Sequence, residues 1–224
     1  MTELILGNLN YSSWSIRAAL VVRASGLDIP ERVLPLGFPN TRETLLAETG
    51  HHTVPVLASE GLTIRDSMAI TEWIAERADP GRVWPIEPHK RALARSATAE
   101  MHAGFFGLRG QMPVDIRSRH AAPPIEGDLA KDIDRVLLIW RNCLDHFGSE
   151  GPFLFGAWSA ADAVYAPVVT RFRTYGVALE GRLLAYSDAV WAHPLVTQLR
   201  AEAEAEPWMV EATAQGPIRA WLRD

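Results

Sequence analysis

Pro80, Pro85 and Pro88 crowd into the run Asp79–Pro88. Each proline removes a backbone donor and disfavours helix in the residue before it, so the run reads as a linker between two differently patterned segments. Before it, Leu4-Ile5-Leu6 reads as a short buried strand. Ile16, Ala19, Leu20 and Ala24 then recur at helical spacing, and Gly26 is a natural stop. Arg32 to Leu36 reads as a second strand, which makes a parallel strand-helix-strand crossover. Pro55-Val56-Leu57 and Leu62-Thr63-Ile64 flank the turn signal Ser59-Glu60-Gly61, the pattern of an antiparallel hairpin. A helix follows, with Ile70, Trp73 and Ile74 on one face and Asp66 and Ser67 at the capping positions.

Beyond the linker the strand pattern stops. Leu129, Ile133, Val136, Leu137, Trp140 and Leu144 form one helical stripe. Ser159 and Asp162 fit a capping box, and Pro167 is expected to kink or shorten the helix that the box opens. The expected organisation is an α/β domain over 1–79 (βαβ then ββα), a linker over 80–88 and an all-α domain over 89–224.

Composition narrows the function classes. A net charge of -5 with no basic stripe argues against nucleic acid as a partner. No apolar run has membrane-span length and the first residues lack a basic secretion start, so no membrane association and a cytoplasmic location are expected. The single Cys143 allows neither an internal disulfide nor a Cys-x-x-Cys pair; any thiol chemistry must use a thiol from elsewhere. No two histidines stand at helical metal-ligand spacing, so no metal site is expected, and there is no Gly-x-Ser-x-Gly elbow.

The chemistry-bearing segment is Asn10-Tyr11-Ser12-Ser13-Trp14-Ser15-Ile16-Arg17, which puts hydroxyls at a helix start, where free amides and the dipole favour an anion. Taken with Thr53-Val54-Pro55, Asp66-Ser67 and the order of elements, it resembles the glutathione S-transferase superfamily across nearly the whole chain. The resemblance implies a thioredoxin-like first domain, a helical second domain that shapes the other substrate's pocket, glutathione as co-substrate and a homodimer. It also implies a cis Val54–Pro55 bond, with the Val54 backbone pairing with glutathione's cysteinyl part. Asp66 and Ser67 match the family's acid-Ser pair, which holds the γ-glutamyl end. Serine-type members of the tau, phi and zeta kind place the sulfur-facing hydroxyl five residues before an arginine, which gives Ser12 when counted from Arg17. Ser13 and Tyr11 are the alternatives, Tyr11 being better suited to lining the pocket with Trp14.

Relatives often carry a lysine or glutamine where Thr53 stands, aimed at glutathione's glycine carboxylate. His52, His51 or Arg42 would have to supply that charge here. Phe105, Phe106, Met112, Trp158 and Trp208 offer apolar surface for a small hydrophobic electrophile, although adjacent helical residues diverge, so only one of Phe105 and Phe106 can face inward. The implied activity is attack of glutathione thiolate on that electrophile. A glutathione-dependent isomerase of the maleylacetoacetate type is the nearest alternative; its motif Ser-Ser-Cys-Ser-Trp has a cysteine where Ser12 stands. A non-catalytic glutathione- or ligand-binding module is the third.

Overall fold

The computed structural model describes residues 2–211 and 219–222. The first half contains β1 (Thr2–Leu6), α1 (Ser13–Ser25), β2 (Glu31–Val33), α2 (Thr41–Thr49), β3 (Val56–Ser59), β4 (Leu62–Arg65) and α3 (Ser67–Ala75). The sheet order is β2-β1-β3-β4, with β1 and β2 parallel and both other pairings antiparallel. This is the expected thioredoxin-like arrangement with a small mixed sheet. It adds one helix, α2, that the sequence pattern does not announce: only Leu45 and Thr49 of α2 are buried, too few to make a stripe.

The second half is helical: α4 (Pro88–Ala103), α5 (Phe106–Gln111), α6 (Gly127–Phe147), α7 (Ala160–Thr174), α8 (Gly181–Ala192) and α9 (Pro194–Ala205). It does not stay helical to its end. Residues Trp208–Glu211 (β5) pair antiparallel with Arg219–Leu222 (β6) as a two-stranded ribbon. The expected stripe on α6 is present, with Leu129, Ile133, Val136, Trp140 and Leu144 buried. Trp140 meets Tyr165, Phe172 and Tyr186 at ring-centroid distances of 5.9, 5.6 and 4.8 Å.

Helix α7 runs through Pro167, and every residue from Ala160 to Phe172 is buried. The lost hydrogen bond costs about 3 kcal/mol, and burying Val164, Val168, Val169 and Phe172 at about 1.5–3 kcal/mol each outweighs it. Helix α1 packs against both α3 and α7, so a single hydrophobic core joins the sheet to the helical half. The hydroxyl-bearing start of α1 is thereby held between the two.

The capping box at α7 is complete. Asp162 accepts from the amides of Leu154 (3.1 Å) and Ser159 (2.9 Å) and from the Ser159 hydroxyl (3.1 Å), all buried. Asp162→Ala leaves these three donors unmet and is expected to cost at least about 3 kcal/mol. Burial pushes the Asp162 carboxyl from its ordinary 3.8 to about 6, against the pull of those donors. The folded protein therefore holds this proton more tightly than the unfolded chain. Its contribution to stability is full below pH 3.8 and is lost as pH rises through about 6. In denaturant titrations, the stability difference between wild type and Asp162→Asn is expected to vary with pH in that window, whereas a constant difference would contradict the assignment.

Candidate functional site

The hairpin register pairs Val56 with Arg65. It therefore sets the residues just before β3 beside the residues just after β4. The Val54–Pro55 peptide is cis, as the resemblance implied. Across from it, Asp66 takes φ 78° and ψ 132°, a conformation uncommon for a residue with a side chain, and caps α3 by accepting from Met68 N (2.7 Å) and Ala69 N (3.4 Å). Ser67 opens α3 and is 1% exposed, yet its hydroxyl has no hydrogen-bond partner among the described residues. An orphaned buried hydroxyl is costly unless something else satisfies it. Trp14, Thr53, Val54, Pro55, Arg65, Asp66 and Ser67 together wall a cavity of about 370 Å³.

A larger cavity of about 670 Å³ lies between β2, α9 and β5. Its Arg23 is already bound to Glu31 and Glu202, both at 2.6 Å, so its principal charges are spent on one another.

The start of α1 is ordered by serines. Ser12 is the N-cap; its oxygen accepts from Ser15 N at 3.3 Å and its hydroxyl donates to Ser15 Oγ at 3.0 Å. Ser13 is the first helical residue, and no side-chain hydrogen bond among the described residues involves its hydroxyl. Both Ser12 and Ser13 are 8% exposed, and neither lies among the residues that wall the cavity, although the neighbouring Trp14 does.

Cations gather around Trp14. The guanidinium carbons of Arg17 and Arg109 lie 4.7 and 4.8 Å from its ring centroid, and His102 meets the ring edge-on at 5.1 Å. Arg17 is buried with none of its three guanidinium nitrogens hydrogen-bonded among the described residues. Burial, with Arg109 and Arg171 nearby, pushes its pKa down to about 9. His102 Nε2 lies 3.3 Å from the free oxygen of Asp66, tying α4 to the start of α3. Burial lowers the His102 pKa while Asp66 opposes the change.

Of the remaining sequence candidates, His52 is exposed and outside the cavity wall. Met112 has no exposed surface and Phe105 only 6%; both belong to the hydrophobic core. Phe106 points outward, 73% exposed, so the two phenylalanines diverge. Tyr11 is not on the cavity wall either: its hydroxyl accepts from Arg117 at 3.0 Å, beside Met209 of β5. Sequence reading missed Arg65 and His102. Arg65 had a local signal, adjacency to Asp66-Ser67, whereas His102 reaches Asp66 only through the packing of α4.

It also missed a clamp on the loop before α1. The buried carboxylate of Glu206 accepts from the amides of Leu9 and Asn10, and Asn10 Nδ2 donates to Asp115 at 2.9 Å. Arg117 donates to the carbonyls of Glu206 (2.8 Å) and Trp208 (2.6 Å) as well as to Tyr11. The segment after α9 thus fixes the chain that leads into Ser12.

Residues 6–82 match the glutathione S-transferase N-terminal domain, and residues 72–223 match the glutathione S-transferase C-terminal domain. The chain belongs to the glutathione S-transferase family. Among similar curated proteins, maleylacetoacetate isomerase of Rattus norvegicus is 32% identical over 98 residues, 43% of this chain and 45% of the isomerase. A probable glutathione S-transferase of Solanum tuberosum is 32% identical over 96 residues, 42% of this chain and 43% of that protein. The chain thus spans less than half the length of the curated relatives it matches. A Burkholderia glutathione transferase homologue with bound glutathione superposes with a TM-score of 0.70 at 23% identity, covering 92% of this chain and 99% of that one. A maleylacetoacetate isomerase from Anaeromyxobacter dehalogenans gives 0.63 at 22% identity, covering 92% and 94%. These structures share the fold.

The clamp has a direct test. Glu206→Ala leaves two buried amides without acceptors, an expected cost of about 2–4 kcal/mol. Amide exchange at Leu9 and Asn10 is expected to accelerate more than at Leu4 and Leu6 of β1; equal acceleration at all four would mean that Glu206 supports the fold as a whole and not this loop.

Proposed function

We propose that the chain is a glutathione transferase that binds glutathione in the cavity between β3 and α3 and presents its thiolate to a small hydrophobic electrophile. The observation that carries the reading is the buried, unpartnered Ser67 hydroxyl at the start of α3, on the wall of a cavity shared with Asp66 and Val54–Pro55. Glutathione's γ-glutamyl end carries a carboxylate and an ammonium. The carboxylate suits the Ser67 hydroxyl and the free amide of a helix start, and the ammonium suits Asp66. Arg65 is a nearby cation for a glutathione carboxylate, a better-placed candidate than His52.

A free thiol with pKa near 8.5 is only about 3% thiolate at neutral pH, and thiolate is the nucleophile. Lowering that pKa by ~2, worth ~2.7 kcal/mol, makes the anion dominant. Ser12 is the hydroxyl assigned this role, because the α1 cap holds it in place and the helix start favours an anion. It donates to the sulfur and does not attack. Ser13, whose hydroxyl is uncommitted, is the alternative donor. The cations around Trp14 add to the positive field near the site. The protein is proposed to act as a homodimer in the reducing cytoplasm, with no metal.

Glutathione-dependent isomerisation is the second reading, favoured by the 32% identity with the rat isomerase and by the arginines around Trp14, which suit an acidic substrate. Paired turnover assays with a chlorinated aromatic and with maleylacetoacetate discriminate. Conjugation is expected; isomerisation alone would transfer the assignment, and binding without turnover would leave a ligand-binding module.

Calorimetry tests the glutathione site itself. Ser67→Ala removes one hydrogen bond to a charged group, about 1.5–3 kcal/mol, and is expected to weaken glutathione affinity by roughly 10- to 150-fold. The rate at saturating glutathione should change little, since this end of the tripeptide lies away from sulfur. Wild-type affinity in Ser67→Ala would reduce the site to a helix cap.

A further inference from the structure

We propose that Ser15 is a positioning residue that, by reversing its hydrogen bond with Ser12 when thiolate binds, lets the Ser12 hydroxyl donate outward, towards the glutathione sulfur; this rests on the assignment of Ser12 above. Ser15 is fully buried in the first turn of α1. Its oxygen accepts the Gly7 amide at 2.8 Å and the Ser12 hydroxyl at 3.0 Å, while its own amide donates to Ser12 Oγ at 3.3 Å. Leu36 and Val54 pack so closely on Gly7 that a Cβ there would come within 2.5 Å of the Leu36 side chain and 2.9 Å of Val54 Cγ2. The Gly7 N–H is therefore a fixed donor at the inner end of a short chain of hydroxyls.

A serine hydroxyl has one proton to give and two lone pairs to fill. In this structure the link runs from the Ser12 O–H to Ser15 Oγ, and it can reverse because hydroxyl protons rotate to suit their surroundings. If Ser12 donates to Ser15, Ser12 has nothing left for a ligand and the Ser15 proton has no acceptor among the described residues. If Ser15 donates to Ser12, both lone pairs of Ser12 are occupied, by the Ser15 N–H and the Ser15 O–H. The Ser12 proton then has only an outward direction. A thiolate at the start of α1 selects this second arrangement, in which the Gly7 N–H, the Ser15 O–H and the Ser12 O–H all point towards the anion and polarise one another. Ser13, with no such bonds, has no comparable constraint on its proton.

The experiment measures the pKa of the glutathione thiol in the complex, by thiolate ultraviolet absorbance, in wild type, Ser12→Ala, Ser15→Ala, Ser15→Thr and the Ser12→Ala/Ser15→Ala double variant. Ser12→Ala is expected to raise the bound-thiol pKa by about 1–2, the loss of one hydrogen bond to a charged group. Ser15→Ala is expected to raise it by less, Ser15→Thr to restore the wild-type value, and the double variant to match Ser12→Ala because Ser15 acts only through Ser12. A wild-type pKa in Ser15→Ala beside a raised one in Ser12→Ala overturns the role of Ser15 and leaves Ser12 standing, as does a double variant whose shift is the sum of the two. A wild-type pKa in Ser12→Ala overturns the Ser12 assignment, and this inference with it. Should Ser15→Ala fail to fold, the wild-type protein gives the answer by NMR. The buried Ser15 hydroxyl proton is expected to shift when glutathione binds as thiolate but not when the S-methyl form binds, and equal behaviour with both ligands contradicts the proposal.

Discussion

The antiparallel pairing of β3 with β4, Val56 opposite Arg65, is the constraint on which the site depends. It puts the backbone before Val56 alongside the first residues of α3, so the cis Val54–Pro55 peptide and the Ser67 hydroxyl come to share one cavity. A one-residue slip in that register would turn the side chains of β4 to the opposite face and carry Asp66 and Ser67 away from Val54. The sheet holds the register against slippage because Val56 and Leu57 are fully buried on β3, and β3 also pairs with β1. Helix α1 brings in the remaining chemistry. It is packed between α3 and α7, with Ile16, Leu20 and Val21 buried, so its first turn cannot shift without disturbing both halves of the core.

Charge is arranged in the same manner. Asp66 serves the α3 cap with one oxygen and faces His102 with the other. Arg17 and Arg109 lie over Trp14, and Arg17 finds no carboxylate close enough to bond among the described residues. A buried cation in this state is stabilised chiefly by the ring face, and it makes the surroundings of α1 favourable to an anion. The helix start and the neighbouring guanidiniums would therefore act in one direction on an anion bound there. The loop that leads into α1 is fixed from two distant segments, by Glu206 on the Leu9 and Asn10 amides and by Arg117 on Tyr11.

Much of this was legible in the sequence wherever the signal was local. The strand at Leu4–Leu6, the hairpin around Ser59-Glu60-Gly61, the α3 cap at Asp66 and the Ser159/Asp162 box each depend on residues a few positions apart, and each has a distinct physical signature. What stayed hidden was set by contacts between distant segments or by weak patterning. Helix α2 has too few buried side chains to show a period, and Pro167 suggested a break that the burial of α7 overrides. The β5 and β6 ribbon comprises two four-residue strands too short to show a period, although Gly216-Pro217 between them is a turn signal. In the site, Asp66 and Ser67 could be found from their place at a helix start. His102 and Glu206 could not, because the partners that give them a role lie far away in the chain. Tyr11 was expected at a pocket from its place beside Ser12, and Met112 as apolar surface of the helical half; packing places one against Arg117 and the other in the core.

The α3 start is proposed to recognise the γ-glutamyl end of glutathione and thereby to place the thiol at α1. Calorimetric comparison of glutathione with the dipeptide cysteinylglycine, which has the same thiol and the same glycine carboxylate but no γ-glutamyl group, isolates that end. Measurable binding of glutathione is expected, with loss of most of that affinity for the dipeptide, and Ser67→Ala is expected to narrow the gap between them. Equal affinity for the two ligands in the wild-type protein would contradict it.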